Sequence, residues 1–459
     1  MQHLSLMQQG NPTLTSRTMT LGWGTRLSLT RGEPGLYNSR SSFAVEFRGG
    51  SLKVLLLENI SGVAASQFEE AGFSVESHKG AMEEAELIEK VRGTSILGVR
   101  SKTRITAAVL DAAPELVSVG AFCIGVDKID RTASSERGIA VFNDPHSNSR
   151  SVAELAMGEI ILLMRRTFEA STRLHKGEWN KSAAGSHEVR GLTLGIVGYG
   201  KIGSQVSDLA EALGMRVVFH DVAHVLARGN ARSVSFRELL EISDVITLHV
   251  DGKASNQGLF GEEEILAMKH GACLINLSRG FVIDHEALAR HLKSGKLGGA
   301  AIDVFPAEPE TGGEFLSPLR GLGNVILTPH IGGSTEEAQQ NIGQFVSAKM
   351  IDYFASGNSL LSVNLPQCHL DFDPNADPHA EGGPHRLMHI HHNVPGILRA
   401  INDILADRGI NIERQVLDTR GPIGYAIYDI NQQCDAALLG KLRAIPHTIR
   451  VRVPGKCRG

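Results

Sequence analysis

The sequence predicts an α/β protein of two doubly wound parallel-sheet domains followed by a smaller ferredoxin-like unit. Three observations carry this. Short apolar runs alternate with helix-period segments from Leu52 to Phe354, the pattern of parallel sheets covered by helices. A glycine fingerprint, Gly198-Tyr199-Gly200-Lys201-Ile202-Gly203, stands at one strand-to-helix turn. After a segment rich in proline, residues 386–459 read strand, helix, strand, strand, helix, strand. The chain's 459 residues, 42% hydrophobic and 21% charged, supply a core for each of about three domains.

Residues 1–50 carry no acidic residue before Glu33, are rich in Ser and Thr, and space out Arg17, Arg26, Arg31, Arg40 and Arg48. Such a segment fits a disordered extension or an organellar transit peptide. The expected compartment is the cytoplasm, or an organellar matrix if the segment is a targeting signal. The first strand is Leu52–Leu57, and alternation continues to about Val141. Val152–Arg166 has helical spacing of apolar residues. Thr193–Val197 opens a second alternating block with strands at Arg216–His220, Val245–Leu248, Cys273–Asn276, Ala300–Ile302 and Val325–Leu327. From Ser334 to Phe354 a helix pattern returns the chain to the first block. Leu365–Pro384 reads as a linker: Pro366, Pro374, Pro378 and Pro384 exclude a regular element, and Gly382-Gly383 reads as a hinge.

Bulk properties narrow the function classes. A net charge of −4 gives no reason to expect nucleic acid or an anionic membrane. The run Gly158–Met164 stops at Arg165-Arg166, short of the roughly 20 residues that span a bilayer. Five scattered cysteines without a CxxC suit reduced thiols, with no disulfide framework and no metal site.

The glycine fingerprint follows a strand and opens a helix, and the next strand ends in Asp221. That is the arrangement of a Rossmann dinucleotide site: glycines for the turn and for close approach, a helix N-terminus for the pyrophosphate, an acid for the ribose. Asp221 repels a 2′-phosphate, so NAD is the expected cofactor. Three further strand ends bear hydride chemistry: Asn276-Leu277-Ser278-Arg279-Gly280, Asp303-Val304-Phe305-Pro306-Ala307-Glu308-Pro309 and Thr328-Pro329-His330-Ile331-Gly332-Gly333. Alcohol oxidation needs a base, for which His330 suits. A carboxylate such as Glu308 orients it, and a fork-shaped cation such as Arg279 suits a substrate carboxylate.

These four motifs resemble the D-isomer-specific 2-hydroxyacid dehydrogenases. The likeness is greatest to the bacterial-type branch that acts on 3-phosphoglycerate and carries a C-terminal ACT domain. It runs from about Leu52 to Val453. The resemblance implies that Arg279 binds the substrate carboxylate, that His330 is the acid/base and that Glu308 is its partner. It implies a cofactor site of Gly198, Gly200, Lys201, Ile202, Gly203, Asp221, His249, Ser278, Asp303, Gly332 and Gly333. It also implies a substrate-binding domain at 51–147 completed by 335–360, an NAD-binding domain at 148–334, a linker at 361–385 and an ACT regulatory domain at 386–459.

The implied reaction is NAD-dependent oxidation of 3-phospho-D-glycerate to 3-phosphohydroxypyruvate, the first step towards L-serine, with a side reduction of 2-oxoglutarate. Lys79 and Arg100 match the family's phosphate ligands. Ser101 and the turn at Gly125 would offer backbone donors to the substrate carboxylate, and Lys181 would reach a neighbouring subunit's site. Two departures stand out: Lys102, where the family often has a second Arg, and Asp251-Gly252-Lys253, where a proline-containing loop is common. In the ACT segment His391, Asn393 and Asn411 match the residues that hold L-serine as effector, and the resemblance implies a homo-oligomer, a tetramer. Other readings stay open: another D-2-hydroxyacid dehydrogenase, an ACT module used only for oligomerisation, or an NADH-sensing corepressor-like binding protein. Glu308 argues against the formate type, which has Gln there.

Overall fold

A computed structural model describes residues 52–309, 313–371 and 385–454. The expectations for residues 1–50 and for the Gly382-Gly383 hinge lie outside these. Strands β1 (Lys53–Leu56), β2 (Ser74–Ser77), β3 (Thr94–Val99), β4 (Ser118–Ala121) and β5 (Ala140–Asn143) form a parallel sheet in the order β2-β1-β3-β4-β5. Strands β3, β4 and β5 are buried along their whole length, as expected for a parallel sheet covered on both faces.

The helix Ser149–Met164 carries the chain into a second sheet. It contains β6 (Thr193–Val197), β7 (Arg216–His220), β8 (Arg232–Ser233), β9 (Val245–Leu248), β10 (Ala272–Asn276), β11 (Leu297–Ile302) and β12 (Val325–Leu327). The order β12-β11-β10-β9-β6-β7-β8 reverses direction between β6 and β9. Ligands of open α/β sheets sit at such a switch point, outside the strands' carboxyl ends. The helix Glu336–Ser356 then packs on the first domain, with Ile342, Val346, Met350, Tyr353 and Phe354 buried in its core.

Residues 361–371 correct the expectation of a linker at 361–385. Ser362 bridges Phe142 and Val363 N–H donates to Val141 O at 2.8 Å. Asn364 Oδ1 accepts from Val141 N–H at 2.8 Å, while its Nδ2 donates to Ile139 O at 2.9 Å. Leu365 and Cys368 are fully buried. The segment has no hydrophobic period because it is an irregular strap whose Asn and Ser side chains complete the free edge of β5.

The C-terminal unit holds β13 (His385–His392), β14 (Ile412–Arg420), β15 (Ile423–Ile430) and β16 (Thr448–Arg452), antiparallel in the order β14-β15-β13-β16. Helices Ile397–Ala406 and Ala436–Arg443 cover one face, over Leu387, Tyr428 and Val451. The other face, with Met388, Ile390, Tyr425 and Ile427, joins the first domain's core. Tyr425 Oη donates to Gly357 O at 2.6 Å, and Arg452 to Tyr353 O at 3.0 Å. Arg386, buried, forms a two-pronged pair with Asp429 at 2.7 and 2.9 Å and also donates to Ser356 O.

Candidate active site and effector site

The fingerprint turn fits a dinucleotide. Gly198 has φ 90°, and a Cβ there would lie 2.5 Å from His249 O; a Cβ on Gly203 would lie 2.2 Å from Gly198 O. Gly200 faces open space, and the helix Lys201–Ala212 begins with no side-chain cap. Its first N–H groups are thus left for an anion. Asp221, just past β7, accepts from Tyr199 N–H at 2.7 Å and Ala223 N–H at 2.9 Å, which fixes its carboxylate at the β7 end. Lys201 is exposed and its Nζ contacts His146 Nε2; Ile202 beside it is half-buried. His249, at the end of β9, is held at Nε2 by Thr247 Oγ1 at 3.0 Å, and its buried Nδ1 has no partner among the described residues. Burial pushes its pKa down to about 4, so it is neutral near pH 7.

The three motif loops leave the adjacent ends of β10, β11 and β12. His330 Nδ1 lies 2.8 Å from Glu308 Oε2, and Glu308 Oε1 accepts from Phe305 N–H at 3.0 Å. A carboxylate only accepts, so Nδ1 carries the proton and Nε2 is left as the acceptor. The pair is open to solvent, with side chains 52% and 37% exposed. His330 sits in left-handed backbone at φ 55°, unusual outside glycine. Asp303 holds it there. Its O accepts from His330 N–H at 2.8 Å, its Oδ1 accepts from Thr328 Oγ1 and Ile331 N–H, and its Oδ2 accepts from Gly332 N–H. Three of about four carboxylate acceptor positions are thus used, and one remains. Ser278 donates through both N–H and Oγ to Asn276 Oδ1. Arg279 Nη1 donates to Ser278 O at 2.7 Å, and its guanidinium passes over Gly252. The departure Asp251-Gly252-Lys253 therefore borders Arg279. Gly333 packs on Asn148, where the helix Ser149–Met164 starts.

Lys79 follows β2, Arg100 follows β3, and Gly125 follows β4, so all three stand at the carboxyl edge of the first sheet. Lys79 and Lys102 are exposed and Arg100 half-buried, and no carboxylate among the described residues pairs with them. The expected role of Ser101 needs correction. Its N–H donates to Glu58 Oε2 at 3.0 Å, as does that of Lys102, and Thr103 N–H donates to Glu58 Oε1 at 2.8 Å. The nest of amides is filled by the protein's own carboxylate, so Ser101 N–H is not free for substrate. Lys181 is exposed, near Trp179, which is 83% exposed. His146, which follows β5, contacts Lys201 at the fingerprint helix, and Ser151 contacts Thr335 where the two connecting helices begin.

Residues 157–332 match the D-isomer specific 2-hydroxyacid dehydrogenase, NAD binding domain. The chain is 49% identical over 405 residues to a D-3-phosphoglycerate dehydrogenase of Haemophilus influenzae, covering 88% of this chain and 97% of that one. It is 47% identical over 414 residues to one of Escherichia coli, covering 89% and 99%. The chain belongs to the D-isomer specific 2-hydroxyacid dehydrogenase family. It is an NAD-dependent oxidoreductase of that family. A solved D-lactate dehydrogenase from Sporolactobacillus superposes with a TM-score of 0.60 at 30% identity, covering 68% of this chain and 99% of that one. A D-2-hydroxyisocaproate dehydrogenase gives 0.63 at 28%, covering 67% and 98%.

Residues 387–450 match an AHAS small subunit-like ACT domain. His391 is buried at 3% exposure near the end of β13, and the exposed Asn393 follows it, its N–H donating to Pro422 O. Asn411 lies elsewhere. His391 pairs with Gly424 of β15, whereas Ile412, next to Asn411, pairs with Ile430. The two positions are roughly 20 Å apart along the sheet. One chain brings His391 and Asn393 together but leaves Asn411 at the sheet's opposite end.

Two residues escaped the sequence reading. Glu58 gave no signal, because its amide partners are 43 to 45 positions away. Glu159 had one: it is the single acid in an apolar run. It is 1% exposed, with neither carboxylate oxygen paired among the described residues. Burial, and then the charge of Asp303, push its pKa up to about 8. Among the described residues no cluster of His, Cys, Asp and Glu fits a metal, and no helix is long and apolar enough to cross a membrane.

Proposed function

We propose that the chain oxidises 3-phospho-D-glycerate to 3-phosphohydroxypyruvate, and that L-serine binding to the C-terminal unit restrains it. The observation that carries the substrate is the trio Lys79, Arg100 and Lys102, cations at the first sheet's carboxyl edge with no carboxylate partner among the described residues. The relatives' names agree. Gly198, Gly200, Gly203, Asp221, His249 and Asp303 hold NAD, which supplies the hydride acceptor. Arg279 grips the substrate carboxylate with its planar fork. His330 takes the hydroxyl proton at Nε2 as the C2–H electron pair leaves with its hydrogen, and Glu308 steadies the imidazolium that forms. The cations take the phosphate. Reduction of 2-oxoglutarate runs the same steps in reverse on a second dicarboxylate-sized ligand.

The regulatory part rests on His391 and Asn393 of one copy with Asn411 of another, two C-terminal units joined head to tail. Because each unit's inner face packs on its own first domain, tying two units together resists movement of both domains. A homo-tetramer fits this pairing together with the exposed Phe168, Leu174 and Trp179. Purified protein is expected to form NADH with 3-phosphoglycerate and to slow with L-serine. Turnover of D-lactate or glycerate but not of the phosphorylated acid contradicts the substrate reading; unchanged activity and thermal midpoint at millimolar L-serine contradict the regulatory one.

A further inference from the structure

His391 is one of two histidines on the same face of β13, and their protons are fixed by a chain of bonds. Thr448 Oγ1 donates its only hydrogen to Leu442 O at 3.2 Å. His389 Nε2 lies 3.2 Å from the same Oγ1, so the ring nitrogen donates and the hydroxyl oxygen accepts. The carbonyl of Leu442, which also faces the ring, only accepts and asks for the same proton. His389 Nδ1 is therefore a bare lone pair. It lies 3.2 Å from His391 Nδ1, which donates to it, and the His391 ring also bonds the backbone of His389. That leaves His391 with its lone pair on Nε2.

This nitrogen lies over Gly424, where an added Cβ would come within 2.5 Å of it. His391 as a whole is 3% exposed, so the little surface it keeps is all that a ligand can reach. Burial lowers the pKa of both rings, that of His389 to about 4, so both are neutral near pH 7 and the relay has one proton per ring.

We propose that His389 and Thr448 are positioning residues that present His391 Nε2 to the effector as an obligate acceptor. The pocket then takes its ligand at this point only through a donor, the ammonium or hydroxyl of a small amino acid, and turns away an anionic group. The inference rests on the reading of His391 and Asn393 as effector ligands. It adds the direction of the bond and the two residues that set it.

Calorimetric titration of the full chain with L-serine tests it, with thermal midpoints and NADH formation measured alongside. His389→Leu removes the side-chain acceptor for His391 Nδ1 and is expected to weaken serine binding about tenfold, the scale of one hydrogen bond. His389→Asn restores an acceptor oxygen and a donor, and is expected to stay within about threefold of wild type. NADH formation without serine is expected to be unchanged in both. Binding by His389→Leu as tight as wild type overturns the proposal, as does equal loss in a folded His389→Asn. If His389→Leu does not fold, Gly424→Ala reads the same nitrogen, because its methyl displaces Nε2: about tenfold weaker binding is expected, and unchanged binding overturns the proposal. Asn393→Ala separates the two readings. If it binds serine as wild type does, or if the wild type binds none, the effector site itself is misassigned and the relay falls with it. If it loses serine while His389→Leu does not, only the relay fails.

Discussion

His330 works from a backbone conformation that residues other than glycine seldom adopt, and the surrounding bonds show why it stays there. Asp303 ties down the three successive N–H groups of His330, Ile331 and Gly332, which offsets the cost of the left-handed turn. Glu308 then fixes the ring. Replacing His330 with Asn is expected to lower kcat by about 10²- to 10⁴-fold, the usual worth of a positioned base. Glu308→Gln, which can still reach Nδ1 but no longer only accepts, is expected to cost about 10- to 100-fold. Rates of NADH formation check both. Glu159 gives a stability test with a definite sign. An unfolded carboxyl titrates near 4.5 and the folded one near 8, so the folded state binds the proton more tightly. Its contribution is fully present below pH 4.5 and is lost as pH rises through 8. Glu159→Gln mimics the protonated acid. Relative to wild type it is expected to gain thermal stability between pH 5 and 8.5 and to gain none at pH 4.5; an equal difference at both ends contradicts a neutral buried acid.

At the scale of elements, the sequence reading did best where a motif closes an apolar run. The fingerprint after β6, Asp221 after β7 and the loops after β10, β11 and β12 all stand at carboxyl ends, because a buried parallel strand is a continuous apolar run and its end is visible. It did worst where side chains take over the work of a backbone ladder. The strap at 361–371 has no period, since Asn364 and Ser362 rather than alternating apolar residues hold it to β5. Ser101 was misassigned for a related reason: its amide looks free until Glu58 folds back onto it. The docking of β13 is of this kind too. Arg386 spans Asp429, Ser356 and the carbonyls of Leu370 and Asp371. Arg386→Met leaves Asp429 buried with less charge compensation and is expected to destabilise the chain by about 3–5 kcal/mol, read as a lower denaturation midpoint in urea.

Across the whole molecule, two parallel sheets present different residues at their carboxyl edges. The second sheet carries Arg279, Glu308 and His330 on its motif loops, with the glycine fingerprint at the end of β6; the first carries cations with no carboxylate partner among the described residues. The helix Ser149–Met164 and the helix Glu336–Ser356 join them, and the C-terminal sheet packs against the second of these helices. On the proposed reading, an effector that pairs two C-terminal units acts on a body already continuous with the first sheet. Nothing in the local sequence announces that Asn411 stands at the far end from His391; only the strand order does. The most direct test of this account is the ratio of kcat/KM for 3-phosphoglycerate over D-glycerate, in wild type and in Lys79→Ala/Arg100→Ala. The wild type is expected to favour the phosphorylated acid by at least about 10³-fold, and the double variant to lose most of that ratio through KM, as removal of charge-assisted bonds to a phosphate should. A ratio near one in the wild type, or one unmoved by the double substitution, contradicts the assignment of these cations to a phosphate.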